Sequence, residues 1–287
     1  MAVAQQACIV NVASVPQRSL FRYPGGKTWL VPLIRRWLHS LHPQPEELIE
    51  PFAGGGIVGL TAAFEGLAKH VTLVELDADV ASVWQSVLGD DALALVRMIM
   101  DFRCTPEAVR EALATPPTTP VGRAFLTLLR NRVQYGGIIA PGASLVCKGE
   151  NGHGVASRWY PATLRKRIIG ITEIKHRVGF DPGDGCKALC AAADRINVAY
   201  FIDPPYTVAG RRLYTHSDID HHALFEVVSR LKGDFLMTYD AADEVRRLAD
   251  AHEFDIVEVP MKTTKHVKTN ELLIGRSLDW ARDVSST

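Results

Sequence analysis

Short apolar runs alternate with amphipathic stretches near both ends of the sequence. Four apolar runs predict buried strands, at residues 47–52, 71–74, 198–202 and 235–239. Three stretches with apolar residues at helical spacing predict helices, at residues 57–67, 219–231 and 242–251. Strands separated by helices are typical of an α/β fold in which a parallel sheet is doubly wound, with helices on both of its faces.

The end of the sequence departs from this alternation. Two further apolar runs, at residues 256–260 and 271–275, are joined by a polar loop with no helical pattern between them. Parallel strands need a long crossover connection, whereas antiparallel strands need only a short loop. We therefore predict a mostly parallel sheet that closes with a C-terminal antiparallel hairpin.

The middle of the sequence is unlike its flanks. Residues 115–120 are rich in proline and threonine, and residues 136–154 contain six glycines. Such segments interrupt a doubly wound pattern and mark an insertion. The predicted organisation is a loosely held arm at residues 1–19, a ligand-binding domain made of residues 20–87 and 184–287, and a mainly helical inserted domain at residues 88–183.

The composition is that of a folded globular protein. The 287 residues are 47% hydrophobic, which excludes wholesale disorder. No apolar run approaches the roughly 20 residues of a membrane span, and the first residues lack the basic and apolar regions of a secretory signal. Five cysteines without a CxxC pair predict reduced thiols, without a disulfide framework or a metal site. We therefore expect a cytoplasmic protein.

Acidic and basic residues are equal in number but unevenly distributed. The chain carries 32 of each, which by itself argues against a polyanionic partner. Residues 71–120 carry eight acidic residues and three arginines, whereas residues 121–180 carry ten basic residues and two acidic ones. The basic segment lies in the predicted insertion, where it is either a solvated surface or a nucleic-acid contact.

A glycine-rich turn connects the first predicted strand to its helix. It runs Pro51-Phe52-Ala53-Gly54-Gly55-Gly56, and Glu75 stands twenty-one residues after Gly54, at the end of the next strand. Glycines at such a turn let a ligand approach the backbone, and an acid at that strand end can accept both ribose hydroxyls of a nucleoside. The turn resembles the dinucleotide fingerprint only loosely, and a P-loop ending at Lys27 would need glycine in place of Phe21. We therefore predict a nucleoside site without the best marks of NAD or ATP binding.

A second motif, Asp203-Pro204-Pro205-Tyr206, directly follows the predicted strand at residues 198–202. In an open α/β sheet, residues just past the carboxyl ends of the strands line the ligand crevice. The carboxylate of Asp203 and the carbonyl of Pro204 can accept hydrogen bonds from an exocyclic amine, and Tyr206 can stack on a flat ring. The tetrapeptide therefore predicts a site that acts on an amino group, with an exposed turn as the alternative.

Together these motifs resemble the Dam-like N6-adenine DNA methyltransferases. The segments that carry the resemblance follow the order of that family, at residues 21–27 (FRYPGGK), 51–56 (PFAGGG), 129–138 (LRNRVQYGGI), 158–160 (RWY), 203–206 (DPPY), 213–215 (LYT) and 270–274 (NELLI). They extend over most of the chain. The resemblance implies a Rossmann-like class I methyltransferase fold and S-adenosylmethionine as the methyl donor, with S-adenosylhomocysteine as product and no metal.

The resemblance also implies which residues form the site. The catalytic tetrapeptide is matched by Asp203, Pro204, Pro205 and Tyr206. The residues matched to cofactor binding are Tyr23, Gly26, Lys27, Pro51, Phe52, Gly54, Gly56, Glu75, Asp184 and Asp203. Lys27 is expected near the cofactor's carboxylate, Glu75 on its ribose and Asp184 on its adenine. Two positions depart from the family pattern, because Glu75 replaces the usual Asp and Gly185 follows Asp184 where Phe is common.

The inserted domain is expected to bind double-stranded DNA and to recognise the target sequence. The expected DNA contacts are Arg130, Asn131, Arg132, Arg158, Arg165, Lys166, Arg167 and Lys265. Arginine suits guanine edges and asparagine suits adenine edges, although most such contacts reach phosphates. Lys265 lies in the polar loop of the closing hairpin, for which a solvated loop is an equal alternative. Trp159 is either a core residue or a base-stacking group.

The sequence thus predicts a site-specific adenine-N6 DNA methyltransferase that flips its target base out of the duplex. Methylation of cytosine N4 or of an RNA adenine is the alternative among enzymes, because the tetrapeptide suits those amino groups equally. A non-catalytic nucleic-acid-binding subunit of the same fold is the other alternative. We expect a nucleoid-associated monomer or weak dimer with no membrane partner. Its expected setting is host marking, phage protection or restriction-modification, with a companion nuclease or defence-system subunit as a candidate partner.

Overall fold

The computed structural model describes residues 14–22, 26–139, 143–149, 152–205, 219–262 and 268–282. Within these residues the chain forms a seven-stranded sheet made of β1 (Glu47–Glu50), β2 (His70–Val74), β3 (Val178–Asp181), β4 (Val198–Ile202), β5 (Asp234–Asp240), β6 (Asp255–Lys262) and β7 (Lys268–Gly275). The strands lie in the order β3-β2-β1-β4-β5-β7-β6. Strands β1 to β5 pair in parallel, and β7 is antiparallel to both β5 and β6. The predicted fold class, a Rossmann-like sheet closed by an antiparallel hairpin, is confirmed.

Helices cover both faces of this sheet. They are α1 (Val31–Ser40), α2 (Ile57–Glu65), α3 (Ala78–Leu88), α4 (Ala92–Asp101), α5 (Pro106–Ala114), α6 (Pro120–Val133), α7 (Pro161–Glu173), α8 (Gly185–Ala192), α9 (His221–Ser229), α10 (Asp243–Ala251) and α11 (Asp279–Arg282). Along β4, Ala199 and Phe201 join the core beneath α1 to α7, whereas Tyr200 and Ile202 join the core beneath α8 to α10. Because β4 is buried on both faces, its sequence is apolar throughout. Among the described residues, no helix is long and apolar enough to cross a bilayer.

Local chemistry sets the start of the inserted helices. The side chain of Thr119 accepts the backbone N–H of Gly122, and Pro120 occupies the first turn of α6. Thr105 and Pro106 begin α5 in the same way. A threonine cap followed by proline favours a helix start, because the cap satisfies a free N–H and proline needs no N–H there.

The inserted domain differs from its predicted bounds. Strand β3 lies within residues 88–183, yet it pairs with β2 at the edge of the sheet. Its sequence, Val-Gly-Phe-Asp, is too short and too mixed to show a strand pattern. The helical part of the insertion, α4 to α7, shares a continuous core with α1, α2 and α3. Residues 178–181 are therefore part of the sheet, and helices α4 to α7 pack on a core that they share with it.

The N-terminal segment is packed where the structure describes it. Val15 and Leu20 are buried, and Arg18 forms an ion pair with Glu65 at 2.7 Å. A guanidinium N–H of Arg167 donates to the carbonyl oxygen of residue 19 at 2.6 Å. The prediction of a loosely held arm is therefore wrong for residues 14–19, while residues 1–13 lie outside the described part of the chain.

Candidate active site

The carboxyl ends of neighbouring strands bring the motif residues to one edge of the sheet. The glycine turn follows β1, Glu75 follows β2 and Asp203 follows β4. Because these strands are parallel neighbours, their carboxyl ends lie side by side. The hydroxyl of Thr238, near the end of β5, donates a hydrogen bond to Oδ1 of Asp203 at 2.8 Å. Side chains from different strands therefore meet at this edge.

The glycine turn is held in one conformation by its neighbours. Gly54 and Gly56 have φ angles of 46° and 58°, in the left-handed region that favours glycine. A Cβ on Gly56 would lie 2.9 Å from the indole of Trp84. Trp84 Nε1–H donates to the carbonyl of Gly54 at 3.0 Å, and the Gly54 N–H donates to Oε2 of Glu75 at 2.9 Å. A tryptophan of α3 and the acid after β2 therefore fix the shape of the turn.

Glu75 has the surroundings of a ligand-binding acid. Its carboxylate accepts the backbone N–H of Asp77 at 2.8 Å, in addition to that of Gly54. Burial raises the pKa of Glu75 to about 7, although these N–H groups favour the charged form. The neighbouring Leu76 is 52% exposed, so an apolar surface lies next to the carboxyl group. An acid and an apolar surface side by side can bind a ribose and a flat base.

Asp203 and Lys27 form an ion pair at the end of β4. Lys27 lies in the short 3-10 helix Lys27–Leu30 and is 4% exposed, and its Nζ is 3.0 Å from Oδ1 of Asp203. The same Nζ is 2.9 Å from Oε1 of Glu271 in β7. Burial by itself would lower the pKa of Lys27, but the charges of the two carboxylates outweigh it and raise the pKa above its ordinary value. The ammonium group is therefore charged and held between two carboxylates, and its expected contact with the cofactor stays a prediction.

Glu50, the last residue of β1, is a site residue that the sequence analysis missed. Its side chain is buried, and its Oε2 accepts the N–H of Gly59 at 2.7 Å. A Cβ on Gly59 would lie 2.7 Å from that oxygen, so only glycine leaves room for the carboxyl group. Burial raises the pKa of Glu50 to about 8, and the charge of Asp203 adds to the shift. An acid that ends a buried strand directly before the glycine turn is the signal that could have identified it.

Asp184 lies at the start of α8, next to the glycine turn. Its Oδ1 accepts the N–H groups of Cys186 and Lys187 at 2.8 and 3.3 Å. A Cβ on the following Gly185 would lie 2.1 Å from the carbonyl oxygen of Pro51 and 3.0 Å from the ring of residue 52. Because of this close approach, position 185 of this chain has room only for glycine, whereas Phe is common there in the Dam-like methyltransferases. The close approach also places the residue after Asp184 against Pro51 and Phe52, and the binding of the cofactor by these residues stays a prediction.

The rest of the tetrapeptide is described only in part. Pro204 is buried and Pro205 is partly exposed, and Gly26 is exposed immediately before Lys27. Three predicted site residues lie outside the described part of the chain, namely Tyr23, Tyr206 and Lys265. Within the described ranges, no group of three or more His, Cys, Asp and Glu side chains is placed to hold a metal ion.

Two of the expected DNA contacts on α6 are internal side chains. Asn131 is 1% exposed, accepts the N–H of Arg22 at 2.8 Å, and donates to the carbonyls of Arg22 and Gly137 at 3.1 and 2.8 Å. Arg132 is 3% exposed and donates to the carbonyl of Leu20 at 2.5 Å. DNA contacts from Asn131 and Arg132 are therefore contradicted, because both side chains are buried and bonded to the backbone. They hold the segment that leads into the Lys27 motif.

The other basic residues that were expected to contact DNA divide into engaged and exposed side chains. Arg130 forms an ion pair with Asp79 of α3 at 3.0 Å, and Arg167 bonds the N-terminal backbone. Arg158 is partly buried, while Arg165 and Lys166 of α7 are exposed. Arg165 and Lys166 are therefore the members of this set that present their charges to solvent.

Trp159 is a core residue. Its ring is buried and packs edge-to-face against Phe102 and Phe125, with centroids 5.6 and 6.2 Å apart. Of the two alternatives that the sequence leaves open for Trp159, the structure favours the core role over base stacking.

Comparisons with known proteins bear on the same motifs. Residues 23–112 match the family model described as D12 class N6 adenine-specific DNA methyltransferase. A DNA N-6-adenine-methyltransferase of Escherichia phage P1 is 28% identical over 204 residues, which cover 69% of this chain and 25% of the phage protein. The chain therefore spans about a quarter of the length of the curated relative that it matches.

Solved methyltransferase structures cover most of the chain at low identity. An M1A22 tRNA methyltransferase of B. subtilis is 9% identical and covers 86% of this chain and 67% of its own, with a TM-score of 0.35. A precorrin-6y C5,15-methyltransferase of Geobacter metallireducens is 10% identical and covers 85% of both chains, with a TM-score of 0.34. Both scores are low, so the fold assignment rests on the order and direction of the chain's own strands. In sequence, residues 23–112 match the D12 class N6 adenine-specific DNA methyltransferases, and the resemblance inferred from the motifs is confirmed.

Proposed function

We propose that this chain is a DNA methyltransferase that transfers a methyl group from S-adenosylmethionine to N6 of adenine. The proposal rests on the hydrogen bonds that hold the carboxylate of Asp203. Lys27 and Thr238 both bond Oδ1 of Asp203, and they hold this carboxylate at the end of β4, beside the strand that leads into the glycine turn. The family match to residues 23–112 supports adenine in DNA as the target.

The residues at the sheet edge fit the nucleoside part of the cofactor. Gly54 and Gly56 have a left-handed backbone and no side chains, so a ligand can approach this part of the turn closely. Glu75 would accept the ribose hydroxyls, and Leu76 and Asp184 would lie beside the adenine. When bound, S-adenosylmethionine supplies a methyl group that is already activated by the sulfonium charge.

The role of Asp203 follows from the chemistry of the target amine. Adenine N6 is a weak nucleophile, because its lone pair is delocalised into the ring. Hydrogen bonds from the amine to the Asp203 carboxylate and to the Pro204 carbonyl favour a tetrahedral nitrogen and localise that lone pair. Placing the reacting atoms correctly can lower a barrier by about 7–11 kcal/mol. Asp203 need not be a strong base, since the methylated ammonium product loses its proton easily.

The bonds from Thr238 and Lys27 orient Asp203 before the base arrives. Both donors bond Oδ1, so the carboxylate cannot rotate without breaking two hydrogen bonds. A preoriented acceptor costs no rearrangement at the moment of reaction, which is where such groups are most effective.

A base paired inside a duplex cannot reach a carboxylate at the edge of a sheet. The target adenine must therefore be flipped out of the stack, at a cost of a few kcal/mol that protein contacts offset. In this proposal Tyr206 stacks on the flipped base. Pro204 and Pro205 limit the conformational freedom of the chain between Asp203 and Tyr206.

The helical insertion is proposed to bind the duplex and read the target sequence. Arg165 and Lys166 are exposed next to each other on α7, where they can contact phosphates. Arg158 and Lys265 are proposed as further contacts. Phosphate contacts position the protein, and sequence reading requires further contacts to base edges.

Nucleoside analysis tests the proposed function. The protein is incubated with S-adenosylmethionine that carries a labelled methyl group, together with either double-stranded DNA or RNA, and the nucleic acid is digested to nucleosides. We expect the label in N6-methyladenine from DNA. Label only in N4-methylcytosine, or only in RNA, would contradict the assigned target, and DNA binding without transfer would favour a non-catalytic subunit.

A further inference from the structure

A third charged side chain, that of Glu271, contacts Lys27 of the Lys27–Asp203 pair. Glu271 of β7 is 2% exposed, and its Oε1 lies 2.9 Å from Nζ of Lys27. The ammonium group is thus shared almost equally with Asp203, whose Oδ1 is 3.0 Å away. Strand β7 pairs with β5, and Thr238 of β5 donates to the same Oδ1. The hairpin and the central sheet therefore hold one charged cluster, in which Lys27 and Glu271 are buried.

Asp203 and Glu271 share the single ammonium group of Lys27, so its positive charge is not directed at Asp203 alone. A lysine that faced Asp203 alone would form a neutral pair, and the neutralised carboxylate would be a weaker acceptor for an amine. During methyl transfer, positive charge moves from the sulfonium toward the target nitrogen. A carboxylate beside that nitrogen stabilises the developing charge, and it does so more strongly where water is excluded.

Burial of the Glu271 carboxylate is unfavourable in free energy, and apolar packing alone does not compensate for it. Removing a carboxylate from water is unfavourable unless a charged or hydrogen-bonding partner compensates. The ammonium of Lys27 is such a partner, and it is at the same time the group that bonds Asp203. Glu271 is therefore placed to act on Asp203 through Lys27.

We propose that Glu271 is a positioning residue for methyl transfer, which holds Lys27 and shares its charge so that Asp203 keeps its negative charge for the target amine. This inference rests on the proposed function and deepens it. Glu271 itself touches Lys27 and needs no contact with the base or the methyl group.

Substitutions in the hairpin test this role. Glu271→Gln keeps the shape of the side chain and removes its charge, whereas Glu271→Asp keeps the charge on a shorter arm. The matched control is Glu258→Gln, because Glu258 lies in β6 of the same hairpin, is exposed, and pairs with Arg246 at 3.1 Å. For each variant, kcat and the KM values for DNA and cofactor are measured together with the thermal unfolding curve.

We expect Glu271→Gln to lower kcat by about tenfold or more, with both KM values within about threefold of wild type. Glu271→Asp should recover most of the loss and remain within about threefold of wild-type kcat. Glu258→Gln should match wild type. Wild-type kcat in Glu271→Gln would overturn the role. If Glu271→Gln does not fold, Glu271→Asp provides the test: a kcat lowered by up to about threefold at unchanged KM supports the role, whereas a wild-type kcat or a loss confined to KM overturns it.

A double-variant cycle shows whether Glu271 acts through Lys27. If it does, Lys27→Met combined with Glu271→Gln should be no slower than Lys27→Met alone, since the shared partner is already gone. Fully additive losses would overturn this route. Failure of the proposed function gives a different result, because the wild-type protein would then methylate no adenine in DNA and the role of Glu271 would fall with it.

Discussion

The backbone N–H of Gly54 donates to Oε2 of Glu75 at 2.9 Å, which ties the glycine turn after β1 to the acid after β2. The two motifs are separate in sequence, yet one hydrogen bond sets their relative position. The Trp84 indole bonds the carbonyl of the same glycine at 3.0 Å, so both polar groups of the Gly54 backbone are engaged. The residues that form the nucleoside end of the proposed cofactor site are therefore already hydrogen-bonded to one another.

Cofactor affinity should depend on pH through Glu75. Burial raises its pKa to about 7, so below that pH the carboxyl group is protonated and is a poorer acceptor for ribose hydroxyls. We expect the affinity for S-adenosylhomocysteine to fall as the pH decreases through 7, with a limiting slope of about tenfold per pH unit. Isothermal titration calorimetry measures this affinity at each pH. Glu75→Gln is the control, and it should bind S-adenosylhomocysteine weakly and without this dependence on pH. Identical pH profiles for the two proteins would contradict the proposed role of Glu75.

Folding stability should fall as the pH rises through the range in which Glu50 loses its proton. Burial raises the pKa of Glu50 to about 8 in the folded protein, whereas an exposed glutamate has a pKa of about 4.3. The folded state thus binds this proton more tightly, and the free energy of unfolding decreases between these two pKa values, by at most about 1.4 kcal/mol per pH unit. Glu50→Gln removes this proton and should flatten the decrease. Urea denaturation at several pH values measures the slope of the unfolding free energy against pH for each protein. Equal slopes in both proteins would contradict the predicted contribution of Glu50.

The close approach of Gly185 to Pro51 predicts a sensitive position beside the glycine turn. Gly185→Ala places a Cβ 2.1 Å from the Pro51 carbonyl oxygen, so the backbone of the turn or of α8 must move. We expect cofactor affinity to fall by about tenfold or more, because small displacements of a binding group are costly. Gly183→Ala is the matched control, since its nearest contact is the Asp181 side chain at 3.1 Å, which can move. Equal affinities in the two variants would show that the turn tolerates the displacement.

The sheet could be predicted from sequence where the pattern was strong. Strand β4 is apolar throughout because both of its faces are buried, and the closing hairpin is marked by its polar loop. Strand β3 was missed, because four mixed residues show no periodicity and only pairing with β2 makes them a strand. A strand at the edge of a sheet needs little apolar sequence of its own.

The site could be predicted less completely than the sheet. The glycine turn, Glu75 and Asp203 were identified because each stands at the end of a predicted strand. Residue type alone did not reveal that Asn131 and Arg132 are buried, since exposure depends on which helix face meets the N-terminal segment. The ion pair of Lys27 with Glu271 joins the two ends of the chain, and no local pattern predicts such a pair.

The exposed pair on α7 should affect DNA binding through phosphates. Replacing Arg165 and Lys166 together with alanine is expected to reduce the slope of log affinity against log salt by about one unit for each phosphate that the protein no longer neutralises. The matched control is Arg230→Ala, because Arg230 lies on the opposite face of the sheet, directly after α9. Fluorescence anisotropy with a labelled duplex measures both slopes. An unchanged slope in the α7 variant would show that these side chains do not bind DNA.

In the proposed mechanism the carboxylate of Asp203 acts on adenine N6 in the methyl-transfer step. The most direct test is the single-turnover rate of N6-methyladenine formation by Asp203→Ala, measured with DNA and cofactor at saturating concentrations and compared with wild type. Lys27 keeps Glu271 as its partner in this variant, so the fold should persist. We expect methylation to be abolished while the affinities for DNA and cofactor stay within about tenfold of wild type. A near wild-type rate, or a loss of activity explained by equal losses in binding, would contradict it.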